Sequence, residues 1–201
     1  RVARDRGAKL VSFTSGDLDA LDRALTAHAD APDKLVVLDG VLSTTGCVQD
    51  IPAVAALCAR HGALVYVDDA HGFGLVGEHP SPEHPYGRRG NGVVRHLGGN
   101  LDNVVYVAGL SKAYSSLAAF FTCPRALRPY MQVAVTSYIY SGPCPTASLA
   151  TASRSTGARW IGHREPWPLA ASRFAMSSRA AASTSSTSRS SSSRSAPMPA
   201  R

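Results

Sequence analysis

"LVYVDDAHGFGLVG", residues 64–77, decides the reading of the fold. Leu64 to Val67 are apolar, β-branched or aromatic, the composition of an interior strand. They run directly into Asp68-Asp69-Ala70-His71 and then Gly72, Gly74 and Gly77. A strand that ends in two carboxylates and an imidazole, followed by glycines that free the chain to turn, marks a place where a ligand is held.

Working outward, strands and helices alternate. "KLVSF" (9–13) is expected as a short strand, and "DLDALDRALTAHA" (17–29) as a helix, with Leu18, Leu21 and Leu25 at helical spacing and acids in its first turn. "KLVVLD" (34–39) is expected as a buried strand. "DIPAVAALCARHG" (50–62) is expected as a helix capped by Asp50, with Pro52 in its first turn and Gly62 at its stop. "ALVYVD" (63–68) and "NVVYVA" (103–108) are two further strands, and "PRALRPYMQVAV" (124–135) and "PTASLATAS" (145–153) two further helices. This order predicts an α/β domain with a right-handed parallel sheet and helices on both faces. Ligands bind at the carboxyl ends of such strands. Three segments fall there: 39–43, 68–71 and 109–112. The polar stretch 81–103 is expected to be a flexible surface loop.

Charge separates the chain into two regions. Up to Ala150 there are 13 Lys and Arg against 13 Asp and Glu; from Thr151 onward there are 8 Arg and one acid, Glu165. The whole net charge of +7 therefore sits in the last quarter, and the mean pI is no sign of a nucleic-acid-binding domain. That quarter is rich in Ser, Ala and Arg without an apolar period, a composition too poor in apolar surface to offset chain entropy. The expected organisation is a domain over 1–153 and a low-complexity basic tail over 154–201, disordered or translated out of frame. A solvated linker and a phosphate-binding arm are the other readings of the tail. No aromatic residues interleave with its late arginines, which argues against nucleic acid. Cys47, Cys58, Cys123 and Cys144 are widely spaced with no CxxC pair, which argues against a zinc site and a disulfide framework. No stretch reaches the roughly 20 apolar residues of a membrane span, and the N-terminus lacks the apolar run of a signal peptide. A reduced, cytoplasmic setting fits this usage. The absence of an initiator methionine suggests that the sequence starts inside a longer protein.

The three strand ends suggest a chemistry. A partly desolvated lysine, Lys112 in "GLSKAYSS" (109–116), can form a Schiff base with an aldehyde. An aspartate nearby, Asp68, can pair with a protonated ring nitrogen, and His71 can hydrogen-bond a ring oxygen. Pyridoxal phosphate presents that set of groups. Each residue also has an ordinary reading. Asp68 can cap the loop after its strand, His71 can be a satisfied core or surface histidine, and Lys112 can be solvated. Ser111, Ser115 and Ser116 can be turn and cap residues.

The run "LVVLDGVLSTTGCVQDIPAVAALCARHGALVYVDDAHGFGLVG" (35–77), followed by "GLSKAYSS", resembles the α-oxoamine synthases. These are fold-type I pyridoxal-phosphate enzymes that include 8-amino-7-oxononanoate synthase, 2-amino-3-ketobutyrate CoA ligase and serine palmitoyltransferase. The resemblance, about Arg1 to Ser153, implies a partial large domain of that fold, with a mainly parallel sheet and flanking helices. It implies that Asp68 pairs with the pyridine nitrogen, that His71 contacts the ring oxygen and that Lys112 carries the cofactor. Ser43 matches a serine near the cofactor, and Ser111 is a candidate phosphate contact because Gly109 stands where the family has Thr or Ser. "SGPCPTASLA" (141–150) resembles the stretch that approaches the neighbouring subunit's cofactor phosphate, which implies a homodimer. The implied reaction condenses an amino acid with an acyl-CoA, losing CO2 and CoA, with Lys112 and His71 as its catalytic residues. The resemblance also implies further segments, an upstream glycine loop with a stacking aromatic and a downstream small domain, which match nothing in this sequence. An aminotransferase is the alternative within the fold, although aminotransferases more often carry Tyr where His71 stands. The other alternative is an inactive fragment.

Overall fold

Three of the expected strands lie side by side and in order. β1 (Leu35–Asp39) pairs in parallel with β2 (Leu64–Asp68), and β2 pairs in parallel with β3 (Val104–Gly109). A fourth strand, β4 (Ala119–Thr122), closes the order β1-β2-β3-β4 and runs antiparallel to β3. The sheet is thus mainly parallel with flanking helices, as the alternation predicts; the antiparallel strand was not foreseen. This computed structural model describes residues 2–5 and 7–160, all within one compact unit, Arg1–His163. The expected boundary at 153 falls inside a helix that continues through Trp160; the rest of the expected 154–201 tail lies outside the described residues.

The helices form where their caps and periodicity place them. α1 (Val2–Asp5) is a single turn. α2 (Leu18–Thr26) starts at Asp17, whose side chain accepts a hydrogen bond from the Ala20 amide at 2.8 Å. α3 (Ile51–Arg60) starts at Asp50, which accepts from the Ala53 amide at 3.0 Å. Both are N-caps that satisfy one of the free amides of a first turn. α3 packs on β2, and α2 packs on α3, where Asp22 meets the His61 ring at 2.8 Å. α4 (Val93–His96) is short. A 3-10 turn over Arg125–Leu127 leads into α5 (Arg128–Ala134), followed by α6 (Thr136–Tyr140) and α7 (Thr146–Trp160).

Most of the core lies on one face of the sheet, although Val105 is buried on the other. Val65, Val67, Val104 and Ala108 are fully buried on the first face, together with Ile51 and Cys58 of α3. The other face of β1 is open among the described residues: Leu35 is 58% and Val37 59% exposed. β1 is therefore an edge strand with one covered face, where the sequence suggests a buried strand. Its apolar run does not distinguish one covered face from two.

Two further expectations are corrected. Residues 9–13 form no strand; Leu10 and Val11 are about half exposed, and no described strand pairs with them. A short apolar run becomes a strand only where a neighbour supplies its hydrogen bonds. The 81–103 segment is not simply a surface loop. Its return half is anchored by Val93 and Val94, both buried. The preceding turn is held by the Arg88 amide on the Glu78 carbonyl (2.6 Å), the Glu78–Arg89 ion pair (2.9 Å) and the His96 ring on the Gly77 carbonyl (2.8 Å). The polar residues between 78 and 91 hid two buried valines just beyond them.

Candidate functional site

The carboxyl ends of β1, β2 and β3 form one edge. Asp39 is registered opposite Asp68, and Asp68 opposite Val107. The Gly40 amide donates to the Asp68 carbonyl at 2.7 Å, and the Asp69 amide to the Val107 carbonyl at 2.8 Å. The ladder thus continues one step beyond the strands and fixes where their end residues project.

Alternation decides which way each side chain goes. Asp68 shares a face with Leu64 and Tyr66, away from the core, and is exposed. One of its carboxylate oxygens accepts from the Ala70 amide at 3.0 Å, which starts the bend. Tyr66, half-buried on the same face, has its phenol pushed up by burial and then by the Asp68 charge. His71 follows in the bend and is half-buried.

Lys112 lies in the turn that joins β3 to β4. That turn is closed by the Leu110 amide on the Ala118 carbonyl (2.9 Å) and the Ser116 amide on the Leu110 carbonyl (3.0 Å). Ser116 is buried, and its hydroxyl donates to the Ser148 carbonyl of α7 at 2.9 Å. Ser115 takes φ +48°, a conformation that costs a non-glycine residue energy and persists only where its surroundings hold it. Lys112 itself is exposed. The desolvation expected of this lysine is therefore absent among the described residues, because the turn carries it past the strand's buried end.

The bend with His71 and the turn with Lys112 are packed together. The Phe73 and Tyr114 rings lie 5.7 Å apart, and Phe73 meets Phe120 of β4 edge-on at 5.0 Å. A Cβ on Gly74 would fall 2.7 Å from the Ala113 Cβ, so only glycine lets the bend lie this close to the residue after Lys112. A Cβ on Gly109 would lie 3.6 Å from that of Ala70, so the end of β3 also abuts the bend. Ser43 sits in the exposed turn after β1. That loop is closed by the Leu42 amide on the Cys47 carbonyl (3.0 Å), and Val41 abuts Gly72. Ser111 is exposed beside Lys112. The five expected site residues therefore lie on three neighbouring loops at one edge of the sheet.

Asp69 is not among those five; its sequence reading is a structural residue hydrogen-bonded to the loop. Asp69 is fully buried. Its Oδ2 accepts from the Tyr106 hydroxyl at 2.6 Å and from the Val93 amide at 2.9 Å, while Oδ1 has no hydrogen-bond partner. Burial pushes its carboxyl up, against the lowering effect of Tyr106 and of the Val93 and Gly72 amides. Strand parity could have found it: Val65, Val67 and Asp69 occupy successive inward positions, as do Val104, Tyr106 and Ala108.

Among the described residues no three His, Cys, Asp or Glu side chains are grouped to hold a metal ion, and no helix is long and apolar enough to cross a membrane.

Comparison with known proteins adds a family to this geometry. The family profile "Aminotransferase class I and II" matches residues 1–161. The 8-amino-7-oxononanoate synthase of Methylobacillus flagellatus is 37% identical over 147 residues, covering 72% of this chain and 34% of that protein. The 8-amino-7-oxononanoate synthase 1 of Polaromonas is 38% identical over 158 residues, covering 77% and 36%. Among solved structures, Sphingomonas wittichii serine palmitoyltransferase superposes with a TM-score of 0.64 at 29% identity, covering 76% of this chain and 36% of that one. The chain thus spans about a third of the length of the curated relatives it matches.

Proposed function

The chain belongs to the aminotransferase class I and II family, and on that footing we propose that it is the cofactor-nitrogen and lysine segment of an α-oxoamine synthase. Pyridoxal phosphate is the cofactor of this family. The observation that carries the proposal is the packing of the His71 bend on the Lys112 turn, beside Asp68 at the end of β2.

The donor set fits pyridoxal phosphate. Asp68 offers an exposed carboxylate with an oxygen beyond the one used by Ala70, suited to a pyridinium N–H. Lys112 offers an exposed primary amine, suited to the aldehyde carbon. His71 offers an imidazole for the ring oxygen, and the Ser43 and Ser111 hydroxyls are candidates for the remaining polar groups. When bound, the cofactor supplies an electron sink for a substrate carbanion.

The chain's own residues then have separate tasks. Asp68 keeps the ring nitrogen protonated, because a nearby anion favours the charged form. Lys112, once displaced from the aldehyde carbon by the incoming amine, would be free for its Nζ to take the proton from the substrate α-carbon and return it. His71 holds the ring oxygen and fixes the ring's orientation. The substrates we assign to the whole enzyme are an amino acid and an acyl-CoA, joined with loss of CO2 and CoA. The relatives named 8-amino-7-oxononanoate synthase and serine palmitoyltransferase support that reading over amino-group transfer, as does an imidazole rather than a phenol after Ala70. The domain, expected over 1–153, is assigned through the end of α7 at Trp160, with the rest of the chain as a tail. Two copies of the whole enzyme are expected to share the site through the 141–150 stretch.

The test uses the chain's three lysines, Lys9, Lys34 and Lys112. Pyridoxal phosphate is added to the full chain, the product is reduced with borohydride, and the labelled peptide is identified. Label concentrated on Lys112, and lost in Lys112→Ala, supports the proposal. Label spread evenly over the three lysines defeats it.

A further inference from the structure

We propose that Asp69 is a positioning residue of this site: it ties the end of β1, the 70–72 bend, the start of α4 and Tyr106 into one unit, and so fixes the backbone from which Asp68 and His71 project. The consequence for the cofactor rests on the function proposed above; the tie itself does not.

Three observations converge on this one side chain. The first is its pair of hydrogen bonds. Oδ2 accepts from Tyr106 of β3 and from the first amide of α4, residues 37 and 24 positions away in sequence. The second is how closely the backbone approaches it. A Cβ on Gly40 would fall 2.7 Å from Oδ1, one on Gly92 2.8 Å from Oδ2, and one on Gly72 would overlap Oδ1. Three glycines from three segments therefore close around one carboxyl group. The third is its main chain, which holds the start of the bend: its carbonyl accepts from the Phe73 amide at 2.9 Å and from the Gly72 amide at 3.2 Å. His71 lies between Asp69 and Phe73. The bend that carries it cannot move without breaking this set or vacating the volume among the three glycines.

A buried carboxyl group held in this way does not face the open side of the sheet, so it has no contact with a ligand lying beside Asp68. It acts through the backbone. Oδ2 makes both of the side chain's hydrogen bonds, and the Gly72 amide acts on the same carboxyl, so an asparagine whose oxygen replaces Oδ2 keeps the acceptor roles toward Tyr106 and Val93.

The experiment compares hydrogen exchange of the full chain without cofactor for the wild type, Asp69→Asn, Asp69→Ala and Leu57→Ala. Leu57→Ala is a core substitution in α3 that removes no hydrogen bond of the tie. In Asp69→Ala, exchange at the Gly72, Phe73 and Val93 amides should rise at least about tenfold more than at Val65. Asp69→Asn should restore all three to within about twofold of wild type, and Leu57→Ala should show no excess at these amides. A uniform rise in Asp69→Ala, or the same local excess in Leu57→Ala, overturns the proposal. If Asp69→Ala does not fold, Tyr106→Phe decides, with about a threefold local excess expected at Val93 and Phe73 and no excess overturning the tie. Pyridoxal phosphate titration is a separate arm. Weaker uptake in Asp69→Ala than in Leu57→Ala links the tie to the cofactor, and equal uptake removes that link. If the wild type takes up none, the proposed function falls while the exchange result still decides the tie.

Discussion

Asp68 and Asp69 are consecutive, yet their carboxyl groups lie on opposite faces of the sheet, the first exposed and the second fully buried. The strand's two-residue period separates a group that can meet a ligand from one that is locked in the core.

This burial has a pH signature. Burial raises the Asp69 carboxyl above its ordinary range, opposed by its hydrogen bonds from Tyr106 and Val93 and by the Gly72 amide, and reinforced by the Asp68 charge. In the unfolded chain the group loses its proton near about pH 3.9, and the folded chain keeps it to higher pH. The folded state therefore binds more protons in that window, and stability falls as pH rises through it. Against Asp69→Asn, the wild type should be at its best relative stability below the ordinary carboxyl range and lose ground toward neutral pH. Tyr106, raised far above its ordinary value first by burial and then by Asp69, adds a second loss above about pH 10, which Tyr106→Phe should remove. Urea melts at stepped pH measure both; a wild-type and Asp69→Asn difference that is flat with pH refutes the first.

Two glycines separate packing from backbone freedom. Gly92 (φ +96°) and Gly98 (φ +79°) both adopt backbone angles that disfavour a side chain. A Cβ at Gly98 would meet nothing within 4 Å, whereas one at Gly92 would lie 2.8 Å from Asp69 Oδ2 and overlap the Tyr106 hydroxyl. Gly98→Ala should cost about 1 kcal/mol, the backbone term alone. Gly92→Ala should cost about 2–4 kcal/mol, because overpacking is added. Equal losses in denaturant melts would mean that the region around Asp69 yields easily.

The cysteines report on the packing of α3. Cys58 is fully buried, and burial pushes its thiol up to about 11, while Cys47 is exposed. The thiolate is the reactive form. At neutral pH a small alkylating reagent should modify Cys47 rapidly and Cys58 only at the rate of unfolding. Mass mapping after a short pulse checks this; early label on Cys58 would show that α3 leaves the sheet without global unfolding.

Much of this arrangement was legible in the sequence because it is local. Asp17 and Asp50 announce helix starts, and three apolar runs ending in Asp39, Asp68 and Gly109 announce strands whose ends converge. What was not legible depended on partners remote in sequence. "KLVSF" has the composition of a strand but no described neighbour to pair with. β4 is only four residues long and owes its place to β3. The exposure of Lys112 follows from the path of a turn that composition does not specify. The role of Asp69 needed Tyr106 and Val93, 37 and 24 residues away, to be seen beside it.

The exposed member of the aspartate pair gives the most direct test of the ligand assignment. In Asp68→Asn the side-chain oxygen can still accept from the Ala70 amide, so the bend keeps its start, and the melting temperature should stay within about 2 °C of wild type. What is lost is the negative charge that would face a protonated ring nitrogen. Removing one charge-assisted hydrogen bond should weaken pyridoxal phosphate binding by about tenfold to a hundredfold. Pyridoxal, which lacks the phosphate but keeps the ring nitrogen, should lose affinity by a similar factor. A neutral benzaldehyde of the same shape, with carbon in place of the nitrogen, should lose none. Absorbance titration of the three aldehydes against wild type and Asp68→Asn reads all of this. An Asp68→Asn chain that binds the pyridine and the carbocyclic aldehydes with unchanged affinities would show that Asp68 caps the loop and does not meet the ring.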